Sequence, residues 1–167
     1  MPATNALRIL AAAGIDHRVY CYDLPDSAFS AEAVADQIGL PRAQVFKTLL
    51  ANGTAAGAVF AVVPAGTELD LKALAAAAGE RKMTMVPVAD LEPLTGYRRG
   101  AVTAIGARRH FPVFLDASAA DHERVAVSAG ARGLQVLLAT ADYQAMTGAS
   151  LASITRTPAG PRLDPVQ

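Results

Sequence analysis

The pattern of apolar and polar residues predicts short strands that alternate irregularly with short helices. Strand-like alternation or short apolar runs occupy residues 16–22, 45–51, 57–63, 82–86, 101–105, 111–115, 125–129 and 134–139. Helical spacing occupies 5–13, 30–38, 70–78 and 140–146, and a helical turn at 88–94 should break near Pro93. Because there is no regular strand–helix–strand rhythm, this order favours an α+β domain with a mixed, strongly curved sheet flanked by short helices.

Local signals predict several element ends. Serine, threonine and aspartate stand at helix starts, and glycine stands at helix ends. The predicted N-caps are Thr4, Ser30, Asp70 and Thr140, and the predicted helix-ending glycines are Gly14, Gly39 and Gly79. The Asn52-Gly53 pair predicts a turn between two strands, which would form a hairpin with a widened loop.

One lysine interrupts an otherwise apolar strand. In the run Val45 to Ala51, Lys47 shares a strand face with Val45, Leu49 and Ala51. Lysine is rarely buried without a partner, so two interpretations stand. Lys47 either lies near the strand end and extends to water, or lines a pocket and meets an anion there. The chain's preference for arginine elsewhere favours a specific need for a compact ammonium at this position.

Length and composition indicate one domain. The 167 residues are 52% hydrophobic and 18% charged, enough for a substantial core. The proline-containing end predicts a frayed tail at 157–167 and a domain over 1–156. We find no apolar run of the ~20 residues that a membrane helix needs, and no signal peptide pattern. The single cysteine, Cys21, allows no internal disulfide, so a cytoplasmic location is expected.

The charge is balanced overall but uneven along the chain. Fifteen basic residues match 15 acidic ones, which argues against broad, non-specific coating of nucleic acid and against DNA as a partner. A basic excess lies within residues 81–115, as either a solvated face or a locally positive surface. Its members are Arg81, Lys82, Arg98, Arg99, Arg108 and Arg109, against Asp90 and Glu92.

Common catalytic and cofactor motifs are missing from the sequence. His17, His110 and His122 lack the spacing of metal ligands, so neither a metal nor a cofactor is expected. The stretch around Ser128 lacks the nucleophile-elbow pattern, and a phosphate-binding Gly-x-x-x-x-Gly-Lys loop is absent. Cys21 is interpreted as a small buried apolar residue rather than a nucleophile. Lys47 and several glycine loops remain, and such loops are either tight turns or backbone donors for an oxyanion.

Four stretches, taken in order, resemble one family. QVFKTLLA, VVPAGTELDLKALAAAAGERKMTM, LTGYRRGAVTAIG and VSAGARGLQVLL resemble the YbaK/EbsC aminoacyl-tRNA deacylases, relatives of the editing domain of bacterial prolyl-tRNA synthetases. The resemblance covers about residues 5–155. It implies a single α+β domain around a mixed, barrel-like sheet. It also implies removal of a wrong amino acid from tRNA, acting outside the synthetase.

The resemblance also implies where the site lies. The motif lysine falls on Lys47, which is expected to meet the terminal adenosine and its phosphate, and the family's glycine loop runs from Gly100 to Gly106. The expected catalytic residues are Lys47, Gly100 and Gly106. The expected substrate-binding residues are Tyr22, Phe29, Thr48, Ala101, Ala104, Ser128, Gly130 and Gln135. The expected tRNA-binding residues are Arg98, Arg99, Arg108 and Arg109.

The sequence departs from the family pattern at two positions. Ala104 replaces the proline of the glycine loop, and Gln135 replaces a carboxylate. The preferred substrate is Cys-tRNA(Pro), whose own thiol can attack the ester. The alternatives are a deacylase for alanyl-, seryl- or threonyl-tRNA, or a non-catalytic module that binds tRNA or nucleotides. The expected partner is the 3′ end of a mischarged tRNA, with a tRNA synthetase as a further candidate and no membrane.

Overall fold

The computed structural model describes residues 3–158 and arranges their strands in three small sheets. The strands are β1 His17–Cys21, β2 Phe46–Gly53, β3 Ala58–Pro64, β4 Glu68–Leu69, β5 Met83–Met85, β6 Val113–Asp116, β7 Arg124–Ser128, β8 Leu134–Ala139, β9 Ser150–Ala152 and β10 Thr155–Arg156. The helices are α1 Asn5–Ala12, α2 Ala31–Ile38, α3 Leu71–Ala78, α4 Val88–Thr95 and α5 Thr140–Thr147. The tail predicted at 157–167 lies outside the described residues from 159 onward.

The main sheet is mixed and has the order β5-β2-β3-β6-β9. Strands β2 and β3 form a long antiparallel hairpin in which Phe46 pairs with Pro64 and Asn52 with Ala58. Strand β6 then joins β3 in parallel, and β9 joins β6 in parallel. A second, antiparallel sheet has the order β1-β8-β7, and the short strands β10 and β4 form a third. This architecture confirms a mixed α/β single domain.

Backbone pairing joins the two larger sheets at one point. Val45, just before β2, makes an isolated parallel bridge to Ala126 of β7, and the two strands pair at no other position that the structure describes. Within residues 3–158 the sheets therefore do not close into a barrel, and the barrel-like form expected from the family resemblance is not confirmed. Beyond this bridge the two strands diverge and leave a wedge between β2 and β7.

Local capping signals predicted the first three helices well. The side chains of Thr4, Ser30 and Asp70 each accept a hydrogen bond from a backbone N–H of the first turn that follows. Gly39 and Gly79 end α2 and α3 in the left-handed conformation. Thr140 is different: it is the first residue of α5, and its hydroxyl donates to the His122 carbonyl instead of capping the helix. The prediction that Thr140 is an N-cap was therefore wrong.

Other predicted elements were also wrong. Helix α4 runs through Pro93 to Thr95, since a proline there removes one intrahelical hydrogen bond without ending the helix. Asn52-Gly53 belongs to β2, so the hairpin turn falls at residues 54–57. Residues 101–105 form a loop, not a strand. Cys21 is exposed, because β1 is an edge strand of its sheet.

The largest apolar cluster fills the space between the two larger sheets. Its largest side chains include Phe46, Phe60, Leu138 and Tyr143, all buried. A second cluster lies between the main sheet and α3, around Ala61 and Leu74. In the part of the chain that the structure describes, each helix is too short or too polar to cross a membrane.

Candidate active site

A cavity of about 390 Å³ opens in the wedge between β2 and β7. Every residue of β2 from Phe46 to Leu50 lines it, and Ser128 and Gln135 line it from the second sheet. The start of α2, the end of β5, α4 and the loop at Gly100 complete the walls. Consecutive strand residues from both faces contact the same space because the cavity lies at the strand edge.

The backbone of β2 is open towards this cavity. Strand β2 pairs with β3 along its length, but β5 covers its other edge only from Ala51 to Gly53. The Ala65 N–H bonds to the Val45 carbonyl, and the Gly53 N–H bonds to the Gly57 carbonyl. Odd-numbered residues of β2 thus direct their polar groups at β3, and even-numbered ones direct theirs at the open edge. The Thr48 N–H is therefore directed towards the cavity.

Lys47 stands at the cavity wall, half-buried. Its Nζ donates a hydrogen bond to the Thr67 carbonyl at 3.1 Å. Glu32, in the first turn of α2, accepts a hydrogen bond from the Gly66 N–H at 2.7 Å. The two side chains thus hold neighbouring residues of the β3–β4 turn. Glu32 and Lys47 make no direct ion pair within 4.0 Å, so the ammonium is held by a neutral oxygen and keeps donors for a ligand.

The Glu32 carboxyl is ionised at neutral pH. Burial alone would raise its pKa, but the Gly66 N–H and the charge of Lys47 act against burial. These contacts outweigh the burial and hold the pKa of Glu32 below its ordinary value. The cavity wall therefore carries one negative charge beside the positive charge of Lys47.

Two buried oxygens at the cavity lack a partner. Gln135 is 6% exposed, and its Oε1 has no hydrogen-bond partner; the Thr48 hydroxyl is in the same condition. An unpaired buried polar atom costs roughly 1–3 kcal/mol. Gln135 lines the cavity, so a rotation of its amide brings Oε1 to a bound ligand, whereas the Thr48 hydroxyl lies beside the buried Tyr143 hydroxyl.

Ser128 ties the glycine loop to the second sheet. Its hydroxyl donates to the Ala101 carbonyl at 2.9 Å and accepts from the Gly130 N–H at 3.1 Å. The Tyr97 hydroxyl donates to the Ile105 carbonyl at 2.7 Å and holds the far end of the same loop. These bonds replace the ladder that a strand at 101–105 would have made, which explains why that apolar segment is a loop.

The mouth of the cavity is built around Phe29. The Arg132 guanidinium lies over the Phe29 ring at 4.1 Å from its centroid and also pairs with Asp26. Tyr22 packs beside Phe29 with ring centroids 6.3 Å apart. A Cβ at Gly100 would lie 3.2 Å from both Phe29 and Arg132, so glycine permits this close approach. The ring of Phe29 is thereby fixed at the entrance.

The structure brings part of the predicted site together. Lys47, Thr48, Phe29, Gly100, Ser128 and Gln135 line the cavity, and so does Arg99. Tyr22 is 8% exposed and lies behind Phe29, and Ala101 and Gly130 support the cavity through Ser128. Ala104 packs against the apolar core. Gly106 faces α1, where a Cβ would lie 2.7 Å from Ile9 and 2.8 Å from Asn5, so it lies outside the cavity.

The predicted tRNA-binding arginines do not form one patch. Arg99 lines the cavity, and Arg98 pairs with Glu92 at 3.3 Å nearby. Arg108 donates to the Pro93 carbonyl at 3.4 Å, and Arg109 is exposed beyond it. Sequence proximity grouped these residues, but Arg108 and Arg109 line neither this cavity nor the one beside it that Arg98 and Arg99 line.

Sequence reasoning missed Glu32 and Arg132. Glu32 looks like an ordinary acid in a first helical turn, and its partner Gly66 lies 34 residues away. Arg132 looks like part of a glycine turn, and its partner Asp26 lies 106 residues away. The sequence offers one indirect signal for Glu32: a lone strand lysine followed by a glycine turn. That pattern does not identify which acidic residue binds the turn.

Comparison with known proteins places the chain in a family. Residues 26–146 match the aminoacyl-tRNA editing domain, and the chain belongs to that family. It is 39% identical over 152 residues, 91% of its own length and 93% of the relative's, to the Enterococcus faecalis protein named "Putative Cys-tRNA(Pro)/Cys-tRNA(Cys) deacylase EbsC". The resemblance drawn from the sequence motifs is confirmed.

Solved structures agree on the fold. One described as a "putative trans-editing enzyme for prolyl tRNA synthetase" has a TM-score of 0.78 at 22% identity, over 93% of this chain and 99% of that one. A second, of a hypothetical protein, has a TM-score of 0.82 at 19% identity, over 92% of this chain and 100% of that one. At these identities the likeness establishes the fold alone.

Proposed function

We propose that this protein is a trans-editing aminoacyl-tRNA deacylase that removes cysteine from mischarged tRNA(Pro). The editing-domain family and the 39% identical relative named as a Cys-tRNA deacylase support this reaction. The single observation that carries it is the half-buried Lys47 in a cavity that is also lined by Gln135, whose Oε1 has no partner. Such a cavity suits a small polar ligand attached to an anionic group.

The reaction needs positioning more than a protein nucleophile. An aminoacyl ester is already activated: water adds to the carbonyl, the carbon–oxygen bond to ribose breaks, and the ribose oxygen leaves as a hydroxyl. The products are the free amino acid and uncharged tRNA. Held donors that stabilise the oxyanion supply most of the rate in such a site. This agrees with a cavity whose walls offer backbone and side-chain donors.

Each cavity residue has a proposed role. Lys47 binds the phosphate or ribose of the terminal adenosine, and Phe29 offers a ring for the adenine base. The Thr48 N–H at the open edge of β2, together with the loop backbone at Gly100, faces the developing oxyanion. Gln135 Oε1 accepts a hydrogen bond from the amino acid's ammonium. Glu32 adds a negative charge that favours a cationic amino group in the same space.

The cavity suits small amino acids. Cysteine, alanine, serine and threonine all fit a space of about 390 Å³ that must also hold part of the ribose. For cysteine, the substrate's thiol sulfur can add to the carbonyl in place of water and displace the ribose oxygen as a thiolactone forms. Cysteine therefore needs the fewest groups from the protein. Action outside the synthetase, in the cytoplasm and beside a synthetase partner, belongs to the same proposal.

A panel of mischarged tRNAs tests the proposal. Purified protein is mixed with Cys-, Ala-, Ser- and Thr-charged tRNA(Pro) and with correctly charged Pro-tRNA(Pro), and loss of the ester is followed against spontaneous hydrolysis. The proposal predicts fastest loss of cysteine and retention of proline. Preferred loss of alanine, serine or threonine would change the substrate. Tight binding of tRNA without ester loss would identify a binding module instead.

A further inference from the structure

A second cavity, of about 480 Å³, lies next to the first. Three arginines and one acid are among its lining residues, so its walls carry a net positive charge. The lining includes Glu92, Tyr97, Arg98, Arg99, Gly130 and Arg132. The family resemblance assigns Arg98 and Arg99 to tRNA binding, but it includes neither Arg132 nor a cavity shared by the three arginines.

The two cavities are neighbours, with Arg99 as a wall residue of both. Arg132 lines the second cavity and lies over Phe29, which lines the first. The chain between them passes through Gly100, where the missing side chain allows Phe29 and Arg132 to approach. A ligand seated in the first cavity and continuing past Phe29 therefore approaches the arginines of the second.

Two arginines of the second cavity pair with exposed carboxylates that a phosphate can replace. Arg98 pairs with Glu92, but the two side chains are 84% and 57% exposed. Arg132 pairs with Asp26, whose side chain is 90% exposed. Exposed pairs of this kind contribute about 0–1 kcal/mol, so a phosphate can displace the carboxylates at little cost. Arginine is also the side chain best suited to a phosphate by its planar set of donors.

We propose that this second cavity binds the phosphodiester backbone of the single-stranded RNA end that precedes the terminal adenosine. The inference rests on the proposed function, because it requires the aminoacylated adenosine to occupy the first cavity. Arg99 holds the phosphate nearest the adenosine, and Arg132 holds the next one while it stacks on Phe29. In the free protein Asp26 pairs with Arg132, and Glu92 pairs with the neighbouring Arg98.

Binding of a short RNA tests this path. The probe is a fluorescein-labelled single-stranded RNA that ends in CCA, and anisotropy gives its Kd at several salt concentrations. Arg99→Gln and Arg132→Gln should each weaken binding about three- to tenfold and reduce the salt slope by about 0.7. The matched control is Arg81→Gln, an exposed arginine outside both cavities, which should change Kd less than twofold.

A variant that is expected to tighten RNA binding controls for loss of folding. Asp26→Asn releases Arg132 from its carboxylate, so it should tighten binding of the same RNA about two- to threefold. Loss of folding cannot produce a gain in affinity. If the Arg99 and Arg132 variants bind like Arg81→Gln, or if a blunt RNA hairpin binds as tightly as the single strand, the path is wrong.

A second substrate separates this inference from the proposed function. The cysteinyl ester of adenosine alone has no phosphodiester, whereas the ester of a CCA-ending RNA has several. Arg132→Gln should lower kcat/KM about three- to tenfold more on the RNA ester than on the adenosine ester. Equal effects on both esters would contradict the second cavity while leaving the deacylase intact. Cleavage of neither ester by the wild type would overturn the proposed function, and the binding assay would still decide the RNA path.

Discussion

The Lys47 ammonium donates its hydrogen bond to the carbonyl oxygen of Thr67, at 3.1 Å, rather than to a carboxylate. Glu32 holds the adjacent residue, Gly66, from the other side of the turn. The lysine is therefore oriented without being neutralised. A phosphate or ester oxygen that enters the cavity meets a charge that is already in position.

The Glu32 charge should make stability depend on pH in the acid range. A carboxyl whose pKa is lower in the folded than in the unfolded protein stabilises the fold fully above its unfolded pKa. That stabilisation is lost as the pH falls through the folded pKa. Glu32→Gln should therefore lower Tm by a constant amount at pH 6–8, and the difference should shrink below about pH 4.5, the ordinary value.

Thermal unfolding of both proteins from pH 3 to pH 8 checks this. Glu123→Gln, which removes an exposed acid outside the cavity, serves as the control for the charge change. A Tm difference that stays constant down to pH 3 would show that Glu32 does not act through its ionised form.

Gln135 should contribute to activity at the expense of the free energy of unfolding. Gln135→Met keeps the shape and removes a buried oxygen without a partner, so the free energy of unfolding should rise by about 1 kcal/mol. The same variant should lower kcat/KM, because the substrate's ammonium loses an acceptor. Urea unfolding and deacylation rates measure the two effects. A less stable variant with unchanged kcat/KM would remove Gln135 from the site.

A carboxylate at position 135 should raise kcat/KM, the opposite of the effect expected for methionine. A charge-assisted bond contributes roughly 1.5–3 kcal/mol against about 1 for a neutral one. Gln135→Asp should thus raise kcat/KM roughly three- to thirtyfold for at least one mischarged tRNA. It should also lower Tm without ligand, since a buried carboxylate then lacks a partner. Unchanged kcat/KM across the whole tRNA panel would contradict the proposed contact.

Gly106 should matter for stability and not for chemistry. Its φ is +69°, and an added Cβ would overlap with Ile9 and Asn5 of α1. Gly106→Ala should cost about 2–4 kcal/mol, from left-handed strain plus overlap. Gly39→Ala, at φ +75° with open space around it, should cost only about 1–2 kcal/mol. If folded Gly106→Ala protein has much lower kcat/KM, the catalytic role first predicted for Gly106 is right.

Local features of this fold were readable from the sequence, and distant contacts were not. Ser30 and Asp70 cap their helices through N–H groups three residues away, so the sequence pattern contains the whole interaction. The segment 101–105 looks like a strand because it is apolar. Ser128 holds it as a loop from 27 residues away along the chain, at Ala101.

The candidate site likewise contains residues that the sequence identified and residues that only the fold reveals. Lys47 was found because an ammonium in an apolar run is unusual whatever surrounds it. Glu32 and Arg132 have ordinary local contexts, and their importance comes from Gly66 and Phe29, which the fold brings to them. The open edge of β2 also depends on where β5 and β7 stop pairing, which the sequence of β2 does not encode.

The most direct test of the account is the single-turnover deacylation of Cys-tRNA(Pro) by wild type, Lys47→Ala and Lys72→Ala. Lys72 is an exposed lysine on α3 outside the cavity, so its variant controls for loss of one positive charge. We expect Lys47→Ala to keep the wild-type fold by circular dichroism and to lose at least about 100-fold in rate, the scale of one essential transition-state contact. Lys72→Ala should match the wild type. A Lys47→Ala protein that deacylates at the wild-type rate would contradict the assignment of this cavity as the active site.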